Sequence, residues 1–201
     1  IWVSIRLKEA KENREYSPSL RDSQQISHLG RRESYPVQNQ ISHLVEVKPG
    51  LTRKVMLKFT LWAINLLAKY TFTKGNLNGI NTIHFARWVL IDKGKRLLFF
   101  SNYDGSWESY LGEFVDRGFI GLSSVWTHTK DFPPTKNLVQ GGARRSKEFK
   151  AWSRKQQIET QVWYSAYHLL SLKNVLRNTE VRQKLIRSTD ESKFQELLEK
   201  V

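Results

Sequence analysis

Between Thr82 and Asp92 the side chains alternate as in a strand, with Ile83, Phe85, Arg87, Val89 and Ile91 on one face and His84, Ala86, Trp88 and Leu90 on the other. Both faces are largely apolar. Such a strand needs cover on both sides, from helices on one face and from a second sheet, a partner chain or a ligand on the other. Asp92-Lys93-Gly94-Lys95 predicts a turn with Gly where positive φ is needed, and residues 97–103 return antiparallel. From Ser106 the apolar period becomes helical. Trp107, Tyr110, Leu111, Phe114, Val115, Phe119, Leu122, Val125 and Trp126 predict one helix over 107–126, with Asp104 or Ser106 as N-cap. Gly112, Gly118 and Gly121 are read as places where that helix lies close to the sheet.

Upstream, residues 1–37 show no sustained periodicity and predict an extended or partly helical arm outside the core. Ile41, His43, Val45 and Val47 alternate as a first strand that stops at Pro49-Gly50. Residues 52–72 predict a helix, Gly75 to Gly79 a loop, and residues 146–157 a short basic helix. A last core strand is expected over 160–167, where Thr160, Val162, Tyr164 and Ala166 alternate with Gln161, Trp163, Ser165 and Tyr167. The tail, 171–201, reads as two polar helices, the second capped near Thr189 or Asp190. This order predicts an α+β domain over 38–170, a ferredoxin-like βαββαβ antiparallel sheet of four strands. Helices at 52–72 and 107–126 cover one face only, so a second copy or a homologous sheet is expected on the other.

The 52–72 helix, TRKVMLKFTLWAINLLAKYTF, is the most unusual segment. Lys54, Lys58, Asn65 and Lys69 fall on one stripe about 60° wide, and most of the remaining circumference is apolar. Three readings stand: a helix packed nearly all round, a subunit contact, or a helix lying in a membrane interface. Its lysines argue against crossing a bilayer. For the interfacial reading Trp62 and Tyr70 are the anchors, and Lys54, Lys58 and Lys69 meet anionic headgroups.

Charge sharpens this. The 201-residue chain has 33 Lys and Arg against 19 acids, a net +14, and no cysteine. A disulfide framework and thiolate metal sites are thereby excluded, and a cytoplasmic setting is the expectation. The two ends contribute little of the excess. Residues 50–75 hold five basic residues and no acid, and residues 136–155 hold seven basic residues and one acid. A localised positive surface points to an anionic membrane, a phosphorylated ligand or nucleic acid. Gly141 and Gly142 followed by Arg144 and Arg145 form a candidate backbone anion nest, though no phosphate-loop pattern is matched. The chain begins at Ile1, so it is read as a processed product, a fragment or part of a longer protein.

HFARW at 84–88, NYDGSWESYL at 102–111 and QVWYSAY at 161–167 resemble an uncharacterised bacterial family of the dimeric α/β-barrel superfamily, which includes dye-decolorising heme peroxidases, chlorite-dismutase-like proteins and small monooxygenases. Ser101-Asn102-Tyr103-Asp104-Gly105 is similar to the peroxidase Gly-x-x-Asp-Gly motif, with Ser in place of the first Gly. That resemblance implies heme as cofactor, Asp104 as distal acid/base, His168 as axial ligand and Arg177 or Arg182 as distal cation. It sets the expectation of a peroxidase-like oxidoreductase.

Read without the resemblance, the histidines show no metal spacing, and His84 is either a satisfied core histidine or a base. Arg87, on an apolar face, needs an anionic ligand or a carboxylate from Asp104, Glu113 or Asp116. Two functions remain open: a barrel-type, membrane-associated domain for a small or heme-like ligand, and a non-catalytic basic subunit of a membrane or nucleic-acid assembly.

Overall fold

The computed structural model describes residues 2–17, 23–32, 35, 37–71, 77 and 79–187. The expected second tail helix near Thr189 and Asp190 lies outside them, as does most of the 75–79 loop. The described elements are α1 (Trp2–Glu15), α2 (Ser23–Arg32), β1 (Gln38–Glu46), α3 (Leu51–Tyr70), β2 (Ile83–Ile91), β3 (Arg96–Asp104), α4 (Trp107–Arg117), α5 (Phe119–Trp126), the two-residue strands β4 (Thr135–Lys136) and β5 (Gln140–Gly141), α6 (Ser146–Gln156) and α7 (Leu172–Arg187).

This is a mixed α+β fold around a three-stranded antiparallel sheet, ordered β1-β3-β2. The central strand β3 pairs with β1 from Gln38 opposite Asp104 to Glu46 opposite Arg96, and with β2 through the expected hairpin. Asp92, Lys93 and Gly94 all take positive φ in its turn. The inner sheet face carries Ile41, Val45, Leu97, Phe99 and Tyr103, with Ala86, Trp88 and Leu90 beside them. Helices α4, α5 and α6 close over it with Tyr110, Leu111, Phe114, Leu122, Val125, Phe149 and Trp152. Trp126 is the hub, with ring centroids 5.5 Å from Phe99 and 5.1 Å from Trp152. Such offset and edge-on aromatic pairs add to the area they bury.

Four expectations are corrected. The helix over 107–126 is two helices, because Gly118 leaves helical geometry and its amide closes α4 on Phe114 O. A Cβ at Gly118 would sit 3.2 Å from Phe114 and 3.3 Å from Ile80, so a side chain at the turn would crowd both. The N-terminal segment is not outside the core: Ile5 and Glu9 of α1 and Leu29 of α2 are buried.

The strand expected over 160–167 is absent, so the four-stranded ferredoxin-like sheet is not completed by it. The chain there runs as an irregular strap on the outer side of β1. The His43–Gln157 bridge and the bond from Ile158 N to Ser42 O, 2.9 Å, join the two backbones. Side chains hold the rest: Thr160 Oγ1 donates to Gln40 Oε1 at 2.7 Å, Ser165 Oγ to Gln38 Oε1 at 2.8 Å, and Gln38 Nε2 to Tyr167 O at 3.0 Å. The polar outward positions of β1 thus replace a ladder by side-chain bonds.

The fourth correction concerns β2. Its register shifts between Ile83 and Phe85, so His84 sits at a β-bulge. Ile83 therefore faces the core with Ala86, Trp88 and Leu90, and His84 turns outward with Phe85, Arg87 and Val89.

Candidate functional site

Among the described elements, α3 carries the most exposed large apolar side chains. It is uninterrupted over 20 residues, with Gly50 as N-cap at φ 111 and the Thr71 amide closing its end on Leu67 O. Only Arg53 and Leu57 are buried, while Leu61 and Ile64 pack against the core from the same side. Around the rest of the circumference, Leu51, Val55, Phe59, Trp62, Leu66 and Tyr70 recur at four, four, three, four and four residues. At helical pitch they occupy one stripe about 100° wide. Leu51 is 79% exposed, Trp62 58% and Tyr70 77%, so this stripe faces away from the protein. Between it and the core side runs the polar stripe of Lys54, Lys58, Asn65 and Lys69. No carboxylate among the described residues pairs with these lysines. No described helix is long and apolar enough to cross a membrane.

The bulge brings His84 to Asp104, with Nε2 and Oδ1 2.6 Å apart and both side chains mostly shielded from solvent. The other oxygen, Asp104 Oδ2, accepts from Leu172 N at 2.7 Å, so Asp104 caps α7. Ser106 caps α4, accepting from Ser109 N at 3.2 Å. Arg87 is not part of this pair. It is exposed, and its guanidinium lies over Phe100, 5.1 Å from the ring centre. The carboxylate expected for it is absent among the described residues, and Glu113 instead accepts from Thr82 Oγ1 at 2.8 Å. His84 and Arg87, expected on opposite faces, share the outer one.

His168 is exposed in a turn after the strap, and Arg177 and Arg182 are exposed on α7. A heme needs an apolar pocket into which its axial ligand projects. Two clefts are lined largely by charged side chains, and neither includes His84, Asp104 or His168. His168 is thus not enclosed as an axial ligand must be, and no chemical step follows through the group. Among the described residues no three His, Asp or Glu converge as metal ligands.

Gly141 and Gly142 both take positive φ, as a nest would, but their surroundings serve packing. Gly142 N donates to Pro134 O at 2.9 Å and Ala143 N to Ser123 Oγ at 3.0 Å. Arg144 lies over Phe119, 4.9 Å from the ring centre, and Arg145 reaches Glu148 at 3.4 Å. The nest amides are thereby turned inward, away from an anion.

One polar cluster escaped the sequence reading. Arg53, 1% exposed, donates through Nη2 to Glu12 Oε1 and Oε2 at 2.9 and 2.8 Å, and Lys48 Nζ reaches the same carboxylate at 2.8 Å. Glu9, one turn earlier, accepts from Thr135 Oγ1, Asn137 N and Leu138 N. His128 is fully buried nearby, and burial, with the positive charges of Arg53 and Lys48, lowers its pKa to about 3. Burial also lowers the pKa of Lys48, against the pull of Glu12. The available signal was the spacing of Ile5, Glu9 and Glu12 on one helical face.

No protein-family model, curated protein or solved structure matches this chain.

Proposed function

We propose that the protein is a basic module that docks peripherally on anionic membrane surfaces, with α3 lying in the interface. The observation that carries this reading is the exposed stripe from Leu51 to Tyr70, flanked by lysines that no described carboxylate pairs with. An apolar face with aromatic residues enters the headgroup boundary, and the adjacent cations stay at the level of the phosphates. Trp62 and Tyr70 suit that level because each ring is apolar with one polar atom. Each lysine near an anionic surface contributes about 1 kcal/mol, so the three together account for roughly a 100-fold preference for anionic over neutral lipid. The cytoplasmic leaflet, where acidic lipids concentrate, is the matching surface.

Flotation of the full chain with phosphatidylserine-containing and neutral vesicles tests this. Recovery with the anionic vesicles, and at least roughly 100-fold weaker binding when Lys54, Lys58 and Lys69 become Glu, is the expected result. Equal recovery on both vesicle types, or an unchanged triple variant, sinks the reading. So does binding to duplex nucleic acid with none to vesicles, which would make the basic surface a nucleic-acid footprint instead.

A second reading rests on the outer sheet face, where Phe85 is 73% exposed and Val89 and Arg87 stand beside it. There a second copy would cover the open part of β2 and β3 and form the barrel-type cavity of a ligand-binding dimer. A clean monomer by sedimentation at micromolar concentration would exclude it.

A further inference from the structure

We infer that the cleft beside the first turn of α3 is a binding site for a phosphomonoester headgroup, an inference that rests on the membrane reading of α3. The cleft measures about 730 Å³, within the usual size range of small-molecule sites. Its walls come from Val47, Pro49 and Gly50 before α3 and from the β2–β3 turn, and four cations line it: Lys54, Lys95, Arg96 and Lys130. Glu46 and Asp92 are its acids. A smaller hollow of about 360 Å³ shares Glu46, Arg96 and Lys130 and continues toward Lys155.

The charges are arranged to be taken over. Arg96 pairs with Asp92 and Lys130 with Glu46, the latter at 2.5 Å, and all four side chains are about half exposed. Pairs this exposed are held weakly, so an incoming phosphate can replace the carboxylates, which turn to water. Lys54 and Lys95 have no carboxylate partner among the described residues and remain to be neutralised. Two unpaired cations plus two displaceable pairs suit a group carrying two negative charges, which a phosphomonoester supplies and a phosphodiester does not.

Position ties the cleft to the interface. Lys54 belongs both to the cleft wall and to the lysine stripe of α3. Leu51 and Val55, the first exposed apolar residues of the stripe, stand one residue from Gly50 and from Lys54 respectively. A phosphorylated headgroup rising from lipid around Leu51 therefore borders this cleft, whose wall includes Gly50 and Lys54.

Vesicle cosedimentation of the full chain compares phosphatidylinositol monophosphate with phosphatidylserine at matched surface charge. Lys95→Glu and Lys130→Glu are the variants, since neither residue lies on α3. About tenfold tighter binding to the phosphoinositide, lost in both variants while phosphatidylserine binding persists and thermal melts stay unchanged, is the expected result. Equal binding to the two vesicle types overturns the cleft and leaves the α3 reading intact; absence of binding to either overturns both. Competition by soluble inositol phosphate separates the two sources of the phosphomonoester. Full displacement at equal phosphate concentration would assign the cleft to a free phosphate ester and overturn the lipid version, whereas weak displacement supports it.

Discussion

Acid should unfold this protein through two buried histidines. His43 is enclosed by Phe99, Trp126 and Trp152, with ring centroids 5.8 to 6.0 Å away, and makes one hydrogen bond, between Nε2 and Ser153 Oγ at 3.0 Å. Burial, reinforced by Arg154, lowers its pKa to about 3. His128, fully buried with both ring nitrogens unpartnered, is lowered to about 3 as well. In the unfolded chain both titrate near 6.5, so as pH falls the unfolded state takes up protons first. Stability is therefore full above pH 6.5 and declines until about pH 3. At pH 5 each histidine has lost about 1.5 pH units of protection, about 2 kcal/mol, and the pair about 4 kcal/mol. That is a large part of a typical 5–15 kcal/mol. Urea unfolding followed by tryptophan fluorescence between about pH 7.5 and pH 5 measures it above the range where ordinary carboxylates titrate. His128→Leu should retain neutral-pH stability and halve the decline, because it removes a titrating group whose nitrogens had no partner. A wild-type decline below about 1 kcal/mol, or an equally steep one in the variant, would refute the argument.

Two further outcomes follow from packing. Glu12→Gln leaves Arg53 buried without its counter-ion and should cost about 2–4 kcal/mol in urea unfolding, toward the lower end because Glu12 itself is partly solvated; a loss below about 0.5 kcal/mol would mean α1 is not clamped. Gly142→Ala should lose about 1–3 kcal/mol, since its Cβ would fall 2.7 Å from Ser123 Oγ and 2.9 Å from Phe132 Cε1 at φ +52; an unchanged melting temperature would contradict the close packing.

The hairpin, β1, α3 and α6 were legible because each keeps one period over eight or more residues, and period is what sequence displays. The features that were not legible depend on partners distant in the chain. Nothing local marks the bulge at His84, which arises where the carboxylate of Asp104, 20 residues on, takes both the imidazole and the amide of Leu172. Residues 160–167 alternate as a strand should, yet Gln38, Gln40 and Ser42 capture them by side chains. The clamp of Glu12 on Arg53 spans 41 residues, and its one local trace is the helical spacing of Ile5, Glu9 and Glu12, which does not name the partner. Of the residues proposed as a site, Asp104 and His84 come together, Arg87 stands apart on Phe100, and the α3 lysines share the predicted stripe.

The division of labour in α3 explains how its apolar stripe can stay exposed without weakening the fold. The inner sheet face is covered mainly by α4, α5 and α6, and α3 adds Leu57, Leu61 and Ile64 along one edge of that core. Its first turn is fixed instead by charge, through Arg53 and the neighbouring Lys48 on Glu12 of α1. A buried ion pair of this kind adds little net stability but holds one geometry, because losing either partner strands the other. The helix is thus anchored at its N-terminal end while Phe59, Trp62, Leu66 and Tyr70 project from the half that the core does not use. On the membrane reading, substitutions on that stripe should therefore weaken vesicle binding while leaving thermal melts nearly unchanged.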